Sequence, residues 1–223
     1  MFTAIHIAQA VRRELGEVEV YGRELGLDER AASAPPDTAA WYEIHERWRG
    51  RSKAEVADDP RIRAYSEFYR RIGLDPKKTP PSVQNLLQRF FIQDELARLP
   101  LIHPAVDAVN LAALEHRIPL GAFDSAAVAG SLRLDFTQGG EPFQGLGEPE
   151  AAELPAGVLV LADEEKVLSR FCYRDGEAQK VTAQTRSVWL LGCQVPGISR
   201  AETEAALAAA AARLERAGVR TAG

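Results

Sequence analysis

The hydrophobic period of this chain changes once, and that change limits its fold more than any other feature. Up to residue 128 most apolar residues recur three and four apart, as on one face of a helix. From residue 129 to 198 they alternate or form short branched runs bounded by turn residues, as in strands. Residues 199–217 return to a helical pattern. Helices, then strands, then a helix is the order of an α+β fold, because a doubly wound sheet alternates the two. We therefore expect one domain over 1–223, with a helix-rich first half 1–128, a strand-rich second half 129–198 and a C-terminal helix 199–217.

Local signals place the elements. Phe2 to Ile7 and Val18 to Tyr21 read as strands, with a short helix from Ala8 to Leu15 between them and Gly16 as its stop. Ala31 to Pro36 reads as a linker. Asp37 is a candidate cap for a helix carrying Trp41, Ile44, His45 and Trp48. Asp59 followed by Pro60 opens a helix that Gly73 ends. Ser82 is the candidate cap of another helix, expected to continue to Pro100, and Pro104 starts one running towards Arg117. Asp124 suits the cap of a short turn. The expected strands are Ser131 to Phe136, Val158 to Ala162, Val167 to Arg174 and Ser187 to Val195, with Gly139-Gly140 and Asp175-Gly176 as turns. Ser199 and Glu202 have the spacing of a capping box, and Gly218 is the expected end of that last helix.

Composition and motif searches remove several classes of function. Basic residues number 27 and acidic residues 32, giving a net charge of −5, so the chain does not coat nucleic acid in bulk. The N-terminal residues lack a basic region and a long apolar run, which argues against a signal peptide. The longest uncharged stretch, Ser187 to Ser199, is too short and too rich in Gly and Pro to span a membrane. Cys172 and Cys193 fit either reduced core thiols or a bridge between neighbouring strands, and a cytoplasmic location is expected. There is no nucleophile elbow, no phosphate-binding loop, no dinucleotide fingerprint and no zinc spacing among the four histidines and two cysteines. No metal and no cofactor are expected.

Charge is unevenly distributed all the same. Arg47 to Lys78 holds ten basic and five acidic residues, whereas Glu141 to Glu165 holds seven acidic residues and no basic ones. The two segments read either as solvated faces or as a phosphate-contacting side and its acidic opposite. In the second reading Trp41, Tyr42 and Trp48 are candidate base-stacking groups.

Three segments carry a family resemblance. Leu99 to Asp124 contains Val106-Asp107, Asn110 and Pro119-Leu-Gly121-Ala-Phe123-Asp124. This resembles the editing domain of the bacterial phenylalanyl-tRNA synthetase beta subunit, where Pro-Ile-Asn-x-Val-Val-Asp-x-x-Asn is followed by Pro-x-His-Ala-Phe-Asp. That family also has Gly-Gly-Glu-x-Ser-x-Val and a threonine four residues further on. Here Asp175-Gly176-Glu177 precedes Val181 and Thr185. Leu159 to Asp163 is similar to a family strand ending in Ala-Asp. The resemblance covers roughly Pro80 to Leu191.

The resemblance implies a three-layer α/β arrangement around a β-sandwich of uncommon topology. It implies hydrolysis of a mischarged aminoacyl-tRNA, and the chain looks like a freestanding relative that acts in trans on the 3′ end of aminoacyl-tRNA. The rival expectation is a non-catalytic tRNA- or amino-acid-binding module with the same fold. Hydrolysis of this ester needs a positioned water, oxyanion donors and recognition of the amino acid, and none of these requires a metal. Glu177 matches the family glutamate that contacts substrate and is the candidate catalytic residue, positioning substrate or water. Asn110, Gly121, Phe123, Arg174 and Thr182 are the candidate substrate-binding residues. Arg61, Arg63, Arg70, Arg71, Lys77 and Lys78 are the candidate tRNA contacts. Gly121 stands where the family has histidine, which should enlarge the site and expose a backbone N–H, with His103 or His116 as spatial substitutes. For Arg174 an ion pair with Asp163 or Asp175 is the alternative to ligand contact, and for Glu177 it is a solvated place beside an Asp-Gly hairpin turn.

Overall fold

Two antiparallel-dominated sheets share one long core, and a pair of helices covers the outer face of the first. The computed structural model describes residues 1–27 and 34–216. The first sheet joins β1 (Thr3–Ala4), β3 (Glu19–Gly26), β11 (Ser187–Gln194) and β4 (Leu120–Asp124) in the order β1-β3-β11-β4. The second joins β10 (Arg174–Asp175), β9 (Val167–Arg170), β8 (Leu159–Ala162), β5 (Arg133–Phe136) and β2 (His6–Ile7) in the order β10-β9-β8-β5-β2. Only the β2–β5 pair in these two sheets is parallel. A small hairpin pairs β6 (Pro142–Phe143) with β7 (Ala152–Glu153).

Side-chain alternation along β11 decides which layer lies on which face. Val188 and Leu190 pack among the apolar residues of α6 (Pro104–His116) and α7 (Arg200–Arg216), including Val109, Leu207 and Leu214. Leu191 and Cys193 turn the other way, into a core with Leu134, Leu161 and Leu168 of the second sheet. Helix, sheet and sheet thus form the expected three-layer α+β arrangement. At Gly192 an added Cβ would lie 3.0 Å from Thr203 and 3.1 Å from Leu207, so this glycine lets α7 approach the sheet closely.

Helix α4 (Pro60–Arg71) runs along the sandwich core, as its apolar face requires. Asp59 caps it by accepting from the backbone N–H groups of Arg61 and Ile62. Tyr65, Phe68 and Tyr69 are buried, and the Tyr65 hydroxyl donates to the Cys193 carbonyl at 2.5 Å. The remaining helices are α1 (Gln9–Leu15), ended at Gly16, α2 (Thr38–Trp48), capped by Asp37, α3 (Lys53–Ala57) and α5 (Ser82–Leu86). Asp124 caps a single 3₁₀ turn, Ser125–Ala127, as expected. Of the N-terminal linker Ala31 to Pro36, residues 31–33 lie outside the described residues, as does Gly218.

Four expectations are corrected. Ser82 is the first helical residue with Pro81 at the cap position, and it makes no side-chain cap bond. That helix does not reach Pro100; it ends in a widened turn, Leu87–Phe91, which lets Phe91 stack on Trp41 at 5.8 Å between ring centroids. The stretch from Val167 to Arg174 is two strands, because the chain reverses over 171–173 with Phe171 at φ 46°. Burial drives that reversal: Phe171 packs on Phe68 at 5.2 Å, and the Tyr69 hydroxyl donates to the Cys172 carbonyl at 3.3 Å. Asp175 is consequently a strand residue paired with Ser169, and Asp175-Gly176 is not a hairpin turn.

Candidate functional site

Two cavities meet beneath the exposed edge of the first sheet. The inner one, about 140 Å³, lies between α5, the second sheet and β11, with Val83, Leu86, Phe171, Cys172, Tyr173 and Cys193 in its walls. The outer one, about 200 Å³, is bounded by Ile102, Val106, Val109, Leu146, Lys180 and Val181. Five residues line both: Asn110, Leu120, Gly121, Phe123 and Asp175. Helix α6 supplies the first, β4 the next three and β10 the last.

Each of these residues is placed by an ordinary structural cause. Asn110 is one helical turn from Val106 and Leu114, on the side of α6 that looks towards β4. Strand β4 ends its sheet, so one lateral side of it is unpaired. The Asp124 N–H leaves that side and donates to the Gln179 carbonyl at 2.9 Å. Because N–H directions alternate, the Ala122 N–H faces the same open side and the Gly121 N–H turns inwards to its partner Leu191. The N–H expected to be exposed at Gly121 is therefore the one at Ala122. Gly121 does widen the site: a Cβ there would have only ordinary contacts, 3.6 Å to Phe123 and 4.0 Å to Leu191.

Asp175 is the residue that the motif comparison passed over. Burial pushes its carboxyl up to about 6, against the opposing pull of Arg174. Among the described residues its carboxylate makes no hydrogen bond and no ion pair, since Arg174 turns to Glu148 at 2.9 Å. The available signal was its position: it stands where the quoted family pattern has the first glycine of Gly-Gly-Glu. Cys172 and Cys193 are free thiols, which resolves the earlier pair of alternatives. Cys193 is held well above the ordinary thiol range by its contact with Cys172 and by burial, so it enters the cavity as a neutral group.

The other expected site residues lie outside the cavity walls. Glu177 accepts from the Gly147 N–H at 3.1 Å and pairs with the Lys180 ammonium, and these contacts lower its pKa. Its backbone N–H is also tied to Gln144, so the side chain is held towards the loop at 145–148 and away from Asn110. Arg174 is anchored on Glu148, and neither Asp163 nor Asp175 is its partner. Asp163 accepts instead from Lys166 and from the N–H groups of Ala129, Glu165 and Lys166. Thr182 closes a turn: its hydroxyl accepts from the Gln184 N–H, and its own N–H donates to Thr185. Thr185 in turn donates to Asp124 at 2.7 Å, so the two motif segments are bonded to each other. His103 is a helix cap, accepting from the Ala105 N–H, and lines neither cavity. His116 lines neither as well; burial lowers the pKa of both.

The candidate tRNA contacts divide in two. Arg61 is tied to Glu202 and to the His116 carbonyl, and Arg71 to the Leu15 carbonyl. Both serve the fold. Arg63 makes a long exposed pair with Glu67 at 3.8 Å, whereas Arg70, Lys77 and Lys78 are exposed and without an ion-pair partner among the described residues. Lys77 and Lys78 precede Ser82, which lines the inner cavity. Trp41 and Trp48 are core residues, 0% and 5% exposed, and cannot stack on a base; Tyr42 is 55% exposed. A larger cavity, about 260 Å³, lies near Asp37, Asp107 and Arg213. Three of its four charged groups are already engaged: Arg213 pairs with Asp37 and Glu115, and Asp107 accepts from the Ile102 N–H. Among the described residues no three His, Cys, Asp or Glu side chains are grouped to hold a metal ion, and no helix is long and apolar enough to cross a membrane.

Comparison with known proteins gives a consistent result. A family described as the B3/4 domain matches residues 64–221. The phenylalanine–tRNA ligase beta subunit of Pseudomonas syringae pv. syringae is 31% identical over 168 residues, covering 75% of this chain and 20% of that protein. The beta subunit from Vibrio vulnificus is 37% identical over 116 residues, covering 52% and 14%. The chain thus spans a fifth or less of the length of these relatives. Among solved structures, an N-terminal fragment of the phenylalanyl-tRNA synthetase beta subunit from Pyrococcus horikoshii matches with a TM-score of 0.44 and 19% identity, over 55% of this chain and 43% of that one.

Proposed function

Given that this chain belongs to the B3/4 domain family, we propose that it hydrolyses the ester of a mischarged amino acid on tRNA, acting in trans on the 3′ end of aminoacyl-tRNA. The observation that carries this reading is the pair of cavities sharing one wall, with Asn110, Gly121, Phe123 and Asp175 on it. An ester has two halves to house and one carbonyl between them. The inner cavity, about 140 Å³, has room for a side chain about the size of a benzene ring. The outer cavity suits the ribose and base, with Lys180 on its rim. The Asn110 amide and the outward N–H of Ala122 are donors for the oxyanion of the tetrahedral intermediate. Water adds to the carbonyl carbon, the ribose oxygen leaves with a proton, and a free amino acid and uncharged tRNA remain.

One observation favours the rival reading of a non-catalytic binding module: the carboxylate of Glu177 is engaged by Lys180 and Gly147 outside the cavities. A deacylation screen separates the two. The purified protein is incubated with correctly and incorrectly charged tRNAs, and release of amino acid is compared with buffer. Hydrolysis of at least one mischarged pair is expected. Binding without release from every pair would establish the module instead.

A further inference from the structure

Among the described residues, Asp175 lines both of these cavities with a carboxyl that makes no hydrogen bond and no ion pair. It lies in the wall common to both cavities, beside the apolar Leu120 and Phe123. The charged and titratable groups around it come from its own strand and its neighbours. Arg170 of β9 lies over the Phe143 ring at 4.9 Å. Arg174 on its own strand reaches Glu148, and Lys180 of the following loop reaches Glu177. Cys193 from β11 is an uncharged thiol in contact with the free Cys172 of the hairpin turn, and Tyr173 beside them has a hydroxyl pushed further up by burial. No histidine lines either cavity.

The second polar group on that wall is Asn110, whose amide makes no hydrogen bond among the described residues and lines both cavities. A half-buried carboxylate without a protein partner is a ready acceptor for a cation, and a wall on which two polar groups converge among apolar ones takes a ligand with matching groups.

We propose that Asp175 is the acceptor for a primary ammonium group, the α-amino group of an aminoacyl ligand, with the Asn110 amide meeting the adjoining carbonyl. The inference rests on the aminoacyl reading of the site but not on hydrolysis. The ammonium sits at the junction of the two cavities, the side chain enters the inner one and the nucleoside remains in the outer one. Asp175 thereby selects α-amino acyl groups over acyl groups that lack the amine. Its pKa near 6 makes the preference sensitive to mild acid, because a protonated carboxyl no longer attracts the cation.

The test is direct binding of stable amide analogues, measured by calorimetry with the full chain at pH 7. The probes are 3′-deoxy-3′-aminoacylamino adenosines bearing alanine, valine, leucine or phenylalanine, each with a counterpart in which hydrogen replaces the amine. At least one amine-bearing probe should bind, with a loss of about tenfold or more for its counterpart. In Asp175→Asn the amine-bearing probe should weaken by a similar factor while the counterpart is unchanged, which is the coupling expected of a direct contact. Between pH 7 and pH 5 wild-type affinity for the amine-bearing probe should fall about tenfold, as the carboxylate fraction falls. Asp175→Ser provides the same comparison should the Asn variant fold poorly.

Equal binding of both members of every pair, an unchanged amine preference in the variants, or no binding of any probe would overturn the inference. Amine-dependent binding together with no deacylation of any tRNA would overturn only the hydrolytic reading. Deacylation with no amine preference would overturn only this one.

Discussion

At the scale of single residues, Asp175 links stability to pH in an unusual direction. Its carboxyl is raised from an ordinary 3.8 to about 6 in the folded chain, so the folded state holds the proton more tightly than the unfolded state. Stability is therefore greatest below the unfolded value and falls as pH rises through about 6, by up to about 3 kcal/mol. Asp175→Asn should remove that loss. In urea unfolding at pH 7.5 the variant should be more stable than wild type, with the difference shrinking towards pH 4. A variant less stable than wild type at pH 7.5 would mean that the carboxylate has a structural partner. Two glycines of the motif segments offer a contrast of another kind. Gly121→Ala has room and should change stability by less than about 1 kcal/mol. Gly176→Ala would put a Cβ 2.8 Å from the Leu168 carbonyl and 2.9 Å from Gln179, and should cost about 1–3 kcal/mol. Equal losses in the two variants, compared by thermal unfolding, would contradict the backbone packing described around β4 and β10.

Among the elements, those with local signals were legible and those shaped by packing were not. Helix α4 follows from Asp59, Pro60 and an apolar stripe, all of which act within a few residues. The box at the start of α7 forms as its spacing implies: Ser199 accepts from the Glu202 N–H, and the Glu202 carboxylate accepts from the Ser199 N–H. Ser199→Ala should lower stability by about 1 kcal/mol, read as a shift of the urea midpoint at constant slope; no shift would mean that packing alone fixes the helix start. The widened turn after α5 and the reversal over 171–173 had no such signal. Both exist because an aromatic ring, Phe91 or Phe171, gains a distant partner, and a window of ten residues holds no information about Trp41 or Phe68. The displaced turn is what moved Asp175 from a presumed exposed corner into a strand that lines the cavities.

Across the whole molecule, the charge asymmetry has a more specific meaning than two opposed faces. The acidic segment acts largely as a set of loop clamps. Glu141 accepts from the N–H groups of Gln138 and Gly139, Glu148 from Gly145, and Glu164 from Ser131. The basic segment is similarly divided, with Arg61 and Arg71 spent on the fold and Arg70, Lys77 and Lys78 left on the surface. Under the proposed function, Arg70→Ala should weaken tRNA binding and reduce the slope of log affinity against log salt by about one. Arg61→Ala should instead lower the unfolding midpoint while leaving that slope unchanged. Filter binding across a salt series checks both, and identical slopes for Arg70→Ala and wild type would remove Arg70 from the interface.

The sequence by itself determined the α+β class, most of the helix boundaries and the family, because periodicity, caps and short motifs are local and persist in one dimension. Three of the residues that it singled out, Asn110, Gly121 and Phe123, line the same two cavities. Only the tertiary structure decided which carboxylate faces the cavities. Glu177 and Asp175 are two residues apart and chemically alike. What separates them is a chain reversal fixed by Phe68 and Phe171, a lysine that engages one and an arginine that turns away from the other. Burial and partnership are properties of the packed chain, and they decide which of two neighbouring acids remains free to meet a ligand.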